Sequence, residues 1–260
     1  MDTKLNKIIH IEDDELSLNY KYRDGAEWLG NNISICSYQY DLLQLINEGF
    51  SFIPVEAQPE IGDTYVRDPF GEKVLIKIES LKDYVLEKKA NCISFVARRM
   101  GATSFRFTLE IENIETREWG SDNKVGYKPA ELDTSIKKVH EEKLNKCFAL
   151  EKTYPGKRPT LNEYNEAIEK AKYYKIVSDN NVQSLFEERN PSTENLMTSV
   201  KRTFSLSEEI NNCLDIALHL KALKGVFKLD SNFNSTTKTK YTINGSLEMH
   251  FDNDNNIKTK

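Results

Sequence analysis

The sequence predicts an α+β fold: a twisted antiparallel sheet with helices packed mainly on one face. Three stretches carry that expectation. Ser80-Leu81-Lys82-Asp83 has the form of a capping box, with Asp where Glu or Gln is preferred. Leu81, Val85, Cys92, Phe95, Val96 and Met100 then recur at helical spacing until Gly101, where a helix needs a residue able to take positive φ. Directly after it, Phe105, Phe107, Leu109 and Ile111 alternate with Arg106, Thr108, Glu110 and Glu112, the period of a strand with one buried face. Farther on, Thr160-Leu161-Asn162-Glu163 is a complete capping box and opens a second helix, carrying Tyr164, Ile168 and Ala171.

In chain order, residues 1–22 read as strand material, first Ile8, Ile9 and Ile11, then Leu16, Leu18, Tyr20 and Tyr22 alternating with polar neighbours. The acidic run between them, His10 to Glu15, reads as a solvated turn and lacks the Asp/Asn and Gly spacing of a calcium loop. A strand over 33–38 is followed by a helix that Asp41 caps, with Leu42, Leu45 and Ile46 as its apolar side and Gly49 near its end. The chain returns to strand over 50–55. Asp68-Pro69-Phe70-Gly71 suits a type I turn and should close a hairpin with arms at 64–67 and 73–78.

Beyond Ile111 the alternation shifts phase at Asn113-Ile114, the mark of a bulge or bend before Trp119-Gly120. Residues 132–150 satisfy both helical and strand periods. A short helix over 182–189 precedes Pro191, and a strand over 196–204 follows it. Ser205-Leu206-Ser207-Glu208 then opens a helix with Ile210, Cys213, Leu214, Ala217 and Leu218, running to Gly225. Ser80 to Gly101 and Ser205 to Gly225 thus share a Ser-Leu start, a helix, a glycine stop and a following strand, the outline of an internal pseudo-repeat. Residues 235–243 read as Thr-rich strand, Asn244-Gly245 as a hairpin turn or bulge, and 252–260 as a polar tail.

With 260 residues the chain can bury a sizeable core. One continuous domain over 1–260 is expected, with sub-units at 1–79 and 80–260 and a helical insertion at 160–190. Twelve Phe, twelve Tyr and two Trp suffice to fill that core although charged residues make up 30%. A net charge of -5 argues against a nucleic-acid partner. Neither a leader nor a run of about 20 apolar residues is evident, so a cytoplasmic protein is expected. Cys36, Cys92, Cys147 and Cys213 lack the paired spacing of a zinc site or redox dithiol and read as buried thiols.

Chemistry is sparse. The sequence has no Gly-rich phosphate loop, nucleophile elbow or His-Glu-x-x-His helix. Its four histidines, at 10, 140, 219 and 250, are scattered. His140 with Glu141 and Glu142 points in divergent directions and reads as a surface cluster, and His219 as a partly buried structural residue. Arg67, Asp68 and Glu72 form the foremost enzyme candidate, although Asp68 is also what a turn requires. Arg98-Arg99 and Lys137-Lys138 could meet anionic lipid or an acidic partner surface. No catalytic, cofactor-binding or metal residue is assigned, and no cofactor is expected.

Polar, amphipathic strands flank the helical segments, before Ser80 and after Ser104, then up to Leu150 and again from Leu196. That arrangement resembles the layout of perforin-type and gasdermin-type pore-formers, whose helices refold into membrane hairpins. The resemblance is one of layout, and no motif carries a functional residue across. It implies strands able to join a closed barrel. The expected function is accordingly non-enzymatic, self-assembly or protein-partner binding, with conditional membrane permeabilisation as its sharpest form. An enzyme for a small polar substrate and a plain adaptor are the alternatives.

Overall fold

The computed structural model describes residues 7–22, 31–117, 127–129, 149–177, 180–193, 196–220, 229 and 231–252. In chain order they form β1 (Ile8–Glu12), α1 (Asp14–Tyr22), β2 (Ile33–Ser37), α2 (Asp41–Asn47), β3 (Ser51–Ile53), β4 (Thr64–Arg67), β5 (Val74–Lys77) and α3 (Leu81–Arg99). There follow β6 (Ser104–Arg117), β7 (Tyr127–Pro129), β8 (Leu150–Thr153), α4 (Leu161–Tyr173), α5 (Asn180–Glu188), β9 (Ser199–Ser205), α6 (Glu208–Leu218), α7 (Ser231–Thr237) and β10 (Thr239–His250). The class is α+β, as expected. The chain divides into two compact units, Met1–Tyr84 with Ile114–Ala130 and Glu208–Tyr241, and Val85–Asn113 with Glu131–Ser207 and Thr242–Lys260.

The first unit contains a five-stranded sheet of order β2-β1-β4-β5-β3. It is mixed rather than antiparallel: β1 runs parallel to β2 and β3 to β5, while β4 is antiparallel to both β1 and β5. The reason lies in residues 14–22, where helix replaces the expected strand. Leu16, Leu18, Tyr20 and Tyr22 alternate, but Leu16 with Tyr20 and Leu18 with Tyr22 are also one helical turn apart. Asp13 decides between the two periods, because its Oδ1 accepts the Leu16 amide at 2.9 Å and caps the helix. With a helix in the crossover, β2 enters parallel to β1.

The expected hairpin is present. Tyr65, Val66 and Arg67 pair with Lys77, Ile76 and Leu75, and the Gly71 amide reaches the Asp68 carbonyl. Asp41 lies inside the first turn of α2 rather than at its cap. Its carboxylate accepts the Ser37 amide at 2.8 Å while Ser37 Oγ accepts the Asp41 amide at 3.0 Å, a reciprocal pair that closes the β2–α2 corner. One face of the sheet and α2 share a core of Ile9, Ile11, Cys36, Leu42, Leu45, Tyr65 and Leu75, with the Phe52 ring edge-on to Tyr65. Helix α6 packs on β1, and α7 on the 3₁₀ turn that leads into α3. Asn211 exchanges two hydrogen bonds with the Tyr241 backbone, tying α6 to the start of β10.

In the second unit β8 and β10 flank β6, and β9 forms the edge beyond β10. Strand β6 keeps Phe105, Phe107 and Leu109 buried and continues through Asn113-Ile114 to Arg117. The residues from 130 to 148, including most of the ambiguous 132–150 segment, lie outside the described residues.

Residues 231–237 are helical, so the Thr-rich strand begins only at Thr239. Asn244-Gly245 makes neither hairpin nor bulge: β10 runs straight through, with Asn244 to His250 paired one-for-one against Ser205 to Ser199. Gly245 is there for space. A Cβ on it would lie 2.6 Å from the Phe107 ring and 2.9 Å from a Leu206 methyl group.

The two halves of the expected pseudo-repeat begin differently. Ser80 directly precedes α3, whereas Ser205 ends a strand and α6 starts only at Glu208. Gly225 and the strand expected after it lie outside the described residues.

Helix α4 starts at the complete capping box that the sequence shows: Glu163 donates its amide to Thr160 Oγ1 and accepts the Thr160 amide at 3.1 Å. The Lys157 ammonium, 2.7 Å from Glu163, together with the Thr160 amide holds the Glu163 carboxyl at about 2, below its ordinary 4.5. A lowered carboxyl stabilises the fold fully above about pH 4.5 and loses that contribution as the pH falls through about 2. The gap in Tm between wild type and Glu163→Gln should therefore hold from neutral pH down to that range and close toward pH 2. A gap unchanged across this window would contradict the assignment.

Candidate functional site

Helix α2 is apolar on two sides. Leu42 and Leu45 enter the core, while Leu43 is 59% and Ile46 48% exposed, and Tyr40, one turn before Leu43, is 71% exposed. Tyr40, Leu43 and Ile46 recur every three residues and so share one flank of the helix. Ile46 therefore sits outside, not on the core side as expected. The only ionisable residue within α2 is Asp41, whose carboxylate is engaged with Ser37. Gln44 bonds to Glu48 along the helix at 2.9 Å. The outer flank thus offers two turns of uncharged, largely apolar surface.

Several polar residues of the first unit lie in its interior. His10 and Glu12 are buried in β1, contrary to the solvated turn expected for this run; only from Asp13 onward does it leave the strand. Lying two apart on one strand, they share a face. His10 Nδ1 shares a hydrogen bond of 2.8 Å with Thr64 Oγ1, its Nε2 stands 3.4 Å from Glu12 Oε1, and Glu12 Oε2 accepts the Asp13 amide at 3.3 Å. The signal available in the sequence is Ile-Ile-His-Ile, which continues a strand buried on both faces through His10.

Asp68 is buried and its Oδ2 accepts the Glu72 amide at 2.8 Å. Burial pushes the carboxyl up, opposed by the Glu72 and Phe70 amides and the Tyr84 hydroxyl. Asp68 therefore serves the turn, and Arg67 is half-buried in β4, on the opposite face of the strand.

In the second unit, an open groove of about 360 Å³ is lined by Ser104, Arg106, Glu151, Thr153, Glu248 and His250. Its carboxylates are matched, Glu151 by Arg106 at 2.9 Å and Glu248 by His250 at 3.5 Å, while Lys152, also on its lining, donates to Ser94 Oγ at 2.8 Å. Such exposed pairs face water and leave little to converge on a reacting atom.

Cys36, Cys92 and Cys213 are buried thiols outside any disulfide, as expected. Burial pushes the Cys92 thiol up to about 12, against the opposing pull of Lys170 and Lys89. His219 is exposed rather than partly buried, with Nδ1 3.2 Å from the Ile216 carbonyl oxygen. Lys137, Lys138, His140, Glu141, Glu142 and Cys147 lie outside the described residues. Among the described residues no group of three or more His, Cys, Asp or Glu side chains could hold a metal ion. Compared with protein families, curated proteins and solved structures, the chain matches none.

Proposed function

We propose that this protein acts by binding rather than by catalysis, and that its partner is a second copy of the chain, met through the outer flank of α2. The observation that supports this reading is the exposure of Tyr40, Leu43 and Ile46 on a helix whose opposite side already fills the core. Contiguous apolar surface of this kind marks interaction sites, whereas single exposed apolar residues do not. A flank without free charge can face its own copy across a two-fold axis without repulsion. Burying a fully exposed Leu or Ile gains roughly 1.5–3 kcal/mol, and Leu43 and Ile46, already about half covered, gain about half of that. Lost translational and rotational freedom offsets much of that sum, so assembly depends on concentration.

Membrane permeabilisation is the sharper form of this proposal. Strands β6 and β10, of 14 and 12 residues, exceed the length of about 9–11 residues that a tilted strand needs to cross a bilayer. Apolar Phe105, Phe107, Leu109, Leu247 and Met249 alternate along them with polar neighbours, the pattern of barrel strands. Among the described residues no helix is long and apolar enough to cross a membrane.

One experiment tests both levels. The double variant Leu43→Glu/Ile46→Glu should reduce self-association at concentrations where the wild type assembles, and should abolish any release of dye from liposomes that depends on assembly. An unchanged mass in the double variant removes α2 from the account. An assembled wild type that leaves liposomes intact removes permeabilisation alone.

A further inference from the structure

Three cations surround a single aromatic ring where α3 meets α4. Lys170 Nζ lies 4.9 Å from the Phe95 ring centre, the Arg99 guanidinium 5.3 Å and the Arg98 guanidinium 5.8 Å. Arg99 is anchored by Glu166 at 2.9 Å and Glu163 at 3.7 Å. Among the described residues neither Arg98 nor Lys170 meets a carboxylate, although both are exposed. Their positions in the last turns of α3 and α4 complement the helix dipoles and partly explain them. The dipoles do not account for both standing within 5.8 Å of the Phe95 ring centre despite their mutual repulsion.

We propose that this cluster binds a phosphate-bearing anion. The charge to be matched exceeds one, and the donors are a guanidinium fork and an ammonium beside the same ring. A phosphate monoester carries about two negative charges and three acceptor oxygens, enough to meet both. A carboxylate carries one charge and two oxygens. Arg98 supplies the planar, bidentate contact and Lys170 the point charge, while Phe95 limits the side-chain freedom lost on binding. The same chemistry is found on a phosphorylated lipid headgroup and on a free phosphate compound. This site belongs to the second unit and stands independently of the α2 reading.

The test measures pyrophosphate binding by calorimetry and, in parallel, co-sedimentation with phosphatidylcholine vesicles with and without a phosphoinositide. Binding is expected in at least one arm, weakening as salt rises. In Arg98→Glu/Lys170→Glu it should fall at least about tenfold, the equivalent of one charge-assisted contact. Binding in the calorimetric arm alone assigns a soluble ligand, and binding in the vesicle arm alone a headgroup. The neutral pair Arg98→Gln/Lys170→Gln, compared by circular dichroism, separates lost binding from lost folding. No binding in either arm, or binding unchanged in a folded double variant, overturns the proposal.

Discussion

Replacing Arg189 with Met should destabilise the protein by about 3 kcal/mol, because the buried Met100 carbonyl and the partly buried Met197 carbonyl would lose charged donors at once. Arg189 is 2% exposed. Its Nη2 and Nε donate to the Met100 carbonyl at 2.8 and 3.3 Å, and its Nη1 donates to the Met197 carbonyl at 3.0 Å. The guanidinium also lies 4.2 Å from the Phe251 ring centre. Met100 follows the last residue of α3, so this carbonyl carries the negative end of the helix dipole and favours a cation. A methionine side chain fills similar space but donates nothing. Lysine keeps the charge yet lacks the fork needed to reach both carbonyls, so Arg189→Lys should fall between Arg189→Met and wild type. Denaturant midpoints of the three proteins check this order. Equal midpoints for the Arg189→Met variant and the wild type would show that these bonds contribute nothing net.

Gly101→Ala should be comparably severe, and Gly49→Ala provides the comparison that explains why. Both glycines end helices at positive φ, +81° and +84°. At Gly49 an added Cβ meets nothing, leaving only the left-handed backbone cost of about 1–2 kcal/mol. At Gly101 the same atom would overlap the Lys157 carbonyl oxygen. A backbone atom cannot rotate away, so overpacking adds roughly 1–3 kcal/mol to the same conformational cost. The difference in Tm between the two variants isolates that packing contribution. Equal losses would mean that the loop at Lys157 yields freely.

The elements that the sequence announces are those with local signals. The α3 stripe with its Gly101 stop, the Asp-Pro-Phe-Gly hairpin and the Thr160 capping box each depend on residues within a few positions of one another, and each is present. Where the signal is tertiary, the sequence misleads. Four alternating residues at 16–22 fit strand and helix alike until the Asp13 cap selects the helix. Asn-Gly at 244–245 has the chemistry of a turn, but the glycine is required by Phe107 and Leu206, neither of them near it in the chain.

The acidic run near His10 reads as solvated by its charge, whereas Glu12 is buried beside a histidine that Thr64 engages from another strand. The α2 flank is visible in outline: Leu42-Leu43-Gln44-Leu45-Ile46 puts apolar residues on more of the helix than one core can cover. What periodicity does not reveal is which of them face outward. The Phe95 cluster depends on bringing Lys170 of α4 to Arg98 and Arg99 of α3, a meeting that neither segment encodes alone.

The most direct test of the central claim is the mass of the wild-type chain by sedimentation equilibrium across a concentration series, from low micromolar to several hundred micromolar. Self-association through α2 requires the mass to rise from that of the 30.0 kDa chain toward twice that value, while Leu43→Glu/Ile46→Glu stays at the monomer throughout. A wild type that remains monomeric over the whole range, with the same mass as the double variant, would contradict it.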